Sequence, residues 1–102
     1  MSSGQLQVLL HHLAPDQGTE LTDAYHRVSA ELAPVPGMLG NELLRSLTQP
    51  GGFVVVSRWA DIDAFTRWEQ GPGHRDATAP LRPYRDASMS RPFGIYQVDA
   101  RY

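Results

Sequence analysis

Apolar and polar positions along the chain alternate between two periods, and the switches mark its elements. Residues 5–13, Gln-Leu-Gln-Val-Leu-Leu-His-His-Leu, are short, mostly apolar and bounded by Gly4, Pro15 and Gly18, which predicts a buried strand. From Thr19 the spacing changes: Leu21, Ala24, Tyr25, Val28 and Leu32 recur at three and four. That pattern predicts an amphipathic helix, capped by Thr19 or Asp16 and stopped by Pro34 and Pro36. Residues 37–47 return to strand character, with Gly37 and Gly40 permitting a bulge or a close backbone approach. Gln49-Pro50-Gly51-Gly52 is a turn by composition, and residues 53–59, Phe-Val-Val-Val-Ser-Arg-Trp, are the most β-branched stretch, so the two flanking segments read as a hairpin. Asp61 then caps a second helix in which Ile62, Phe65 and Trp68 share a face, ended by Gly71-Pro72-Gly73. A looser helical piece over 74–87, interrupted by prolines, leads to a closing strand within 91–102.

The order strand, helix, strand, strand, helix, strand is the split βαβ arrangement. It predicts an α+β, ferredoxin-like protomer: one domain over residues 1–102, with a four-stranded antiparallel sheet and both helices on one face. Val54 and Val56 alternate with Phe53 and Val55, so apolar residues fall on both faces of the third strand and one helical layer leaves some uncovered. The expected cover is a second copy, giving a homodimer joined through its sheet faces.

Composition narrows the function classes. A 102-residue chain with a net charge of -2 lacks the clustered cations that nucleic acid or an acidic membrane surface would need. With no cysteine it has no disulfide framework, thiolate nucleophile or Cys-ligated metal. The first residues carry no basic segment and only a short apolar run, too short for a secretion signal or a membrane span, so a soluble cytoplasmic protein is expected.

Candidate chemistry gathers around the two tryptophans. Alternation puts Phe53, Val55, Ser57 and Trp59 on one strand face, where Trp59 would stand beside Phe65 and Trp68 of the next helix. The three rings are either packed core or the wall of a space for a planar aromatic ligand. His74, just after the Gly-Pro-Gly, is either a general base pointing into the same space or a solvent-facing or helix-capping residue. His11 and His12 are adjacent on a strand and point to opposite faces, so they cannot chelate one metal, and no metal site is expected from them. One of the two must face the cavity or the dimer interface. Asn41, polar in an apolar strand, would orient a substrate oxygen or satisfy backbone at a bulge. Arg75, Arg82 and Arg85 form a cationic run that is either an anchor for an acidic or phenolate ligand or a solvated face, whereas Asp61, Asp63 and Glu69 read as helix-terminal and solvent charges. Phosphate loops and nucleophile elbows are absent, because Gly-Pro-Gly-His follows a helix instead of joining a strand to one.

Taken together, PGMLGNELLRSL, GFVVVSRWADIDAFTRWEQGPGH and FGIYQVDA resemble, in order and over nearly the whole chain, the antibiotic biosynthesis monooxygenase family of dimeric α+β barrels. The resemblance implies a homodimer with a cavity between helices and sheet in each subunit. It also implies a cofactor-independent monooxygenase of an aromatic polyketide-like or phenolic substrate, with molecular oxygen as co-substrate. Trp59 matches the strand-end tryptophan that lines the pocket in the anthrone oxygenases of the family, while Val55 stands where they carry asparagine and Phe65 where they carry tyrosine. Trp68 and Gly71-Pro72 match the haem-degrading branch, but its axial histidine falls near Ala77 and Thr78 and its first-strand asparagine near Leu10. The site expected from residues and resemblance is therefore His74 and Trp59 as the catalytic pair. Trp68, Phe65, Val55, Leu10, His11, Asn41 and Arg75 would surround the substrate. A cyclase or aromatase and a non-catalytic ligand-binding dimer are the alternatives, with haem degradation behind them.

Overall fold

The computed structural model describes residues 4–15 and 17–102. Its elements are β1 (Leu6–Leu13), α1 (Thr19–Leu32), β2 (Met38–Arg45), β3 (Gly52–Trp59), α2 (Ile62–Glu69), α3 (His74–Thr78), a 3-10 turn (Ala79–Tyr84) and β4 (Phe93–Gln97). The strands form one antiparallel sheet in the order β2-β3-β1-β4, so the hairpin partner β3 and the last strand β4 flank β1. This is the expected ferredoxin-like topology, and within one chain the sheet is open, with β2 and β4 as edges. None of the described helices is long and apolar enough to cross a membrane.

The register fixes which side chains meet the helices. Leu6 pairs with Trp59, Val8 with Ser57, Leu10 with Val55 and His12 with Phe53, and this set alternates onto the helical face. Leu21, Ala24, Val28 and Leu32 of α1, at the predicted spacing, close over it with Ala64 and Phe65 of α2 and Leu81 of the 3-10 turn. On the other face Leu9, His11, Val54 and Val56 are half-buried, while Leu44 and Tyr96 are 45% and 58% exposed. Among the described residues, no helix packs over that face.

Local signals acted as read, with one correction. Asp61 caps α2, its Oδ1 accepting from the Ala64 N–H at 2.8 Å, and β2 bulges between Met38 and Gly40, where Gly40 has φ 156. The start of α1 is different. Thr19 is its first helical residue and Gly18 is the N-cap, in the left-handed region at φ 85, while Asp16 lies outside the described residues. The Phe53 ring selects glycine there: a Cβ on Gly18 would stand 2.3 Å from Phe53 Cζ.

Candidate active site

Between the helical face of the sheet and α1, α2 and α3 lies a cavity of about 350 Å³, within the roughly 300–1,000 Å³ usual for small-molecule sites. Its sheet wall is Val8, Leu10, Val55, Ser57 and Phe93, and its helical wall includes Val28, Leu32, Phe65 and Trp68. One side is polar: Glu69, His74, Thr78, Arg82 and Arg85 line it together.

The aromatic residues form a connected stack behind and around this space. Trp59 and Trp68 stack at 5.2 Å, Phe65 meets Trp59 edge-on at 5.4 Å, and Phe93 stacks on Phe65 at 6.5 Å. Such ring pairs hold one another in place beyond their burial. The sequence left open whether the tryptophans are core or wall, and the structure divides them. Trp68 lines the cavity, whereas Trp59 is 0% exposed and lies behind the lining, its Nε1–H donating to Ser57 Oγ at 3.0 Å. Trp59 therefore does not line the cavity. It is core, and it fixes Trp68, Phe65 and Ser57.

His74 opens α3 and packs edge-on against Trp68, with ring centroids 4.5 Å apart. Burial pushes its pKa below the ordinary 6.5, opposed by the nearby Glu69 carboxylate and assisted by the Arg82 and Arg75 guanidiniums. The imidazole is thereby kept neutral, the state a proton acceptor needs. Arg82 is held in turn by the Arg75 carbonyl at 3.0 Å and by Thr78 Oγ1 at 3.3 Å, one helical turn on from His74. Trp68 and His74 also border a second depression of about 390 Å³ on the side of Val35, Pro36 and Ala77, so the pair is a thin partition.

Leu10, Val55, Phe65, Trp68 and His74 thus converge as expected. Three other residues do not line the cavity. His11 is on the opposite sheet face, because it alternates with Leu10. Asn41 is committed to α1, its Oδ1 accepting from Ser29 Oγ at 3.1 Å and its carbonyl from Tyr25 Oη at 3.2 Å. Arg75 is exposed outside the lining and acts on the site through its carbonyl and its charge. His12 does face the helices, but it is enclosed in the core and does not line the cavity either. Phe93 and Ser57 were missed: Phe93 is signalled only by its pairing with Leu10, which no sequence period reveals, and Ser57 by sharing the face of Trp59. Among the described residues no group of three His, Asp or Glu side chains is arranged to hold a metal ion.

The sequence model described as antibiotic biosynthesis monooxygenase matches residues 7–80, most of the chain and all the elements from β1 through α3. The chain belongs to the antibiotic biosynthesis monooxygenase family. Protein SchA of Streptomyces halstedii is 29% identical over 93 residues, which are 91% of this chain and 24% of that protein. Polyketide synthase CurD of Streptomyces cyaneus is 30% identical over 76 residues, 74% of this chain and 20% of that protein. The chain thus spans only 24% and 20% of the length of these two curated relatives. Among solved structures SnoaB, a cofactor-independent oxygenase from Streptomyces nogalater, superposes with a TM-score of 0.79 at 21% identity, over 97% of both chains. At that identity the likeness speaks for the family fold.

Proposed function

We propose that the chain is a cytoplasmic homodimeric oxygenase that acts without a cofactor of its own on an aromatic, polyketide-like or phenolic substrate. The observation that carries this reading is a largely apolar, ring-walled cavity with one histidine, kept neutral by burial, at its polar side. Family membership, the polyketide synthase relative and the cofactor-independent oxygenase SnoaB support the same chemistry. His74 takes a proton from a phenol or an enolisable ring position. The resulting electron-rich anion reduces dioxygen directly. For an activated CH2 the balance is CH2 + O2 giving C=O + H2O, one oxygen atom entering the product and the other leaving as water. Phe65, Trp68 and Phe93 hold the ring and keep bulk water from the carbanion. The uncovered apolar sheet face is the proposed dimer contact.

A binding role is the second reading. It is favoured by Val55 and Phe65, which present only carbon where the anthrone oxygenases have an amide and a phenol. The deciding experiment is an oxygen-electrode assay with a hydroxylated anthrone. An oxygenase consumes one dioxygen per carbonyl formed, and His74→Ala lowers kcat by roughly 10²-fold or more. In the wild type kcat/KM falls on acidification with a midpoint below 6.5, since the folded pKa is lowered. Ring closure without oxygen uptake would reassign it as a cyclase. Quenching of tryptophan fluorescence with no turnover would leave the binding role.

A further inference from the structure

Ser57 and Thr78 both line the cavity, and the Thr78 hydroxyl donates its proton to the His74 carbonyl at 2.9 Å. Ser57 lies on the helical face of β3 between Val55 and Trp59, and it lines the cavity. Its Oγ accepts the Nε1–H of Trp59 at 3.0 Å. A hydroxyl has two acceptor lone pairs and one proton. The indole N–H occupies one of the two lone pairs, and among the described residues the Ser57 proton has no acceptor. Asn41, its cross-strand partner in β2, turns its Oδ1 to Ser29 instead. Trp59 is fully enclosed between Trp68 and Phe65, so it has no freedom to release the serine. A hydroxyl that accepts one hydrogen bond is polarised into a better donor of the next.

We propose that Ser57 is the hydrogen-bond donor that recognises an oxygen atom of the ligand, with Trp59 as the residue that positions it. The ligand class is a planar aromatic molecule bearing a carbonyl, phenolate or enolate oxygen on the edge that meets β3. The sheet wall around Ser57 is otherwise carbon, from Val8, Leu10, Val55 and Phe93, so a ligand without that oxygen leaves the donor buried and unpaired. This rests on the aromatic-substrate reading and deepens it. As His74 removes a proton from the substrate, negative charge develops on the conjugated oxygen and the Ser57 O–H donates to it. The serine keeps its proton and stabilises the anion through the hydrogen bond.

The test compares 9-fluorenone with fluorene, two tricyclic probes of nearly equal shape in which C=O replaces CH2. Equilibrium dialysis gives both affinities for the wild type, Ser57→Ala, Ser57→Thr and Trp59→Phe, each checked for folding by circular dichroism. The wild type prefers fluorenone. Ser57→Ala loses roughly five- to tenfold of that preference, the worth of one hydrogen bond, with fluorene binding unchanged within about twofold. Ser57→Thr restores the preference, and Trp59→Phe weakens it while both probes still bind. Equal preference in the wild type and Ser57→Ala, or equal loss of both probes, would overturn the donor role while leaving the aromatic site standing. Failure of both probes to bind the wild type would overturn the aromatic-site reading and this inference with it.

Discussion

Replacing His12 with leucine should stabilise the protein, and more so in acid. His12 is 1% exposed among the core side chains, with Nδ1 3.0 Å from the Leu10 carbonyl and therefore protonated there. Among the described residues its Nε2 has no hydrogen-bond partner. Burial pushes its pKa below 6.5; the Leu10 carbonyl opposes the shift, and Arg85 and His11 add to it. At pH 8, where the ring is neutral, removing the orphaned Nε2 recovers about 1–3 kcal/mol and losing the Nδ1–H bond costs about 1 kcal/mol. The net gain for His12→Leu is about 0–2 kcal/mol.

The pH dependence follows from the direction of the shift. A histidine with a lowered folded pKa binds its proton more tightly when unfolded, so its contribution is intact above 6.5 and is lost as pH falls toward the folded value. The loss runs at up to about 1.4 kcal/mol per pH unit. Lowering pH from 8 to 5.5 should thus widen the gap between variant and wild type by up to about 1.4 kcal/mol. His74, also lowered, contributes equally to both proteins and cancels. Urea unfolding at pH 5.5, 6.5 and 8, at fixed salt and protein concentration and with unchanged m, measures this gap. A gap that stays constant or narrows in acid would refute an unpaired neutral His12.

Three further outcomes follow from the same geometry. Gly18→Ala forces a left-handed φ on alanine and drives Cβ into the Phe53 ring, so thermal unfolding should report a loss of about 2–4 kcal/mol, combining backbone and overpacking costs; less than about 1 kcal/mol would contradict it. Arg82→Gln removes a cation that lowers the His74 pKa, so the imidazole Cε1–H titration followed by NMR should move to higher pH, and an unmoved midpoint would separate the two residues. Leu44→Glu with Tyr96→Glu charges the exposed sheet face and should yield a folded monomer by light scattering where the wild type is a dimer; a wild type already monomeric would sink the proposed interface.

The fold was legible because its signals are local. Helical spacing over Leu21–Leu32, β-branching over 53–59, the Asp61 cap and the Gly-Pro-Gly stop each fix a stretch of backbone, and together they leave few topologies. The site was only half legible. Strand parity correctly separated His11 from His12 and put Val55, Ser57 and Trp59 on one face. Parity gives a face without giving depth, however, and depth decides whether an aromatic residue touches a ligand. Trp59 at the strand's end falls behind Trp68 because α2 packs over it, and Asn41 is drawn away by Ser29 and Tyr25 of α1. Both outcomes depend on contacts between distant segments.

The arrangement limits what the cavity can select. Its sheet wall offers one hydroxyl among carbon, from Ser57, while its ionisable groups, Glu69, His74, Arg82 and Arg85, all come from the end of α2, α3 and the turn after it. Arg82 and Arg85 are exposed and His74 half-buried, so charge increases from the cavity toward solvent. A ligand with a single polar group satisfies only one of these sets, and a planar apolar molecule with more than one oxygen can satisfy both. In the proposed reaction, deprotonation by His74 would place the new negative charge within reach of these donors, which would favour the anion over the neutral ligand. Val55 and Phe65 therefore need not mark a lost activity. On the proposed reading, the polar contact that Val55 lacks comes from Ser57, two residues along the same strand face.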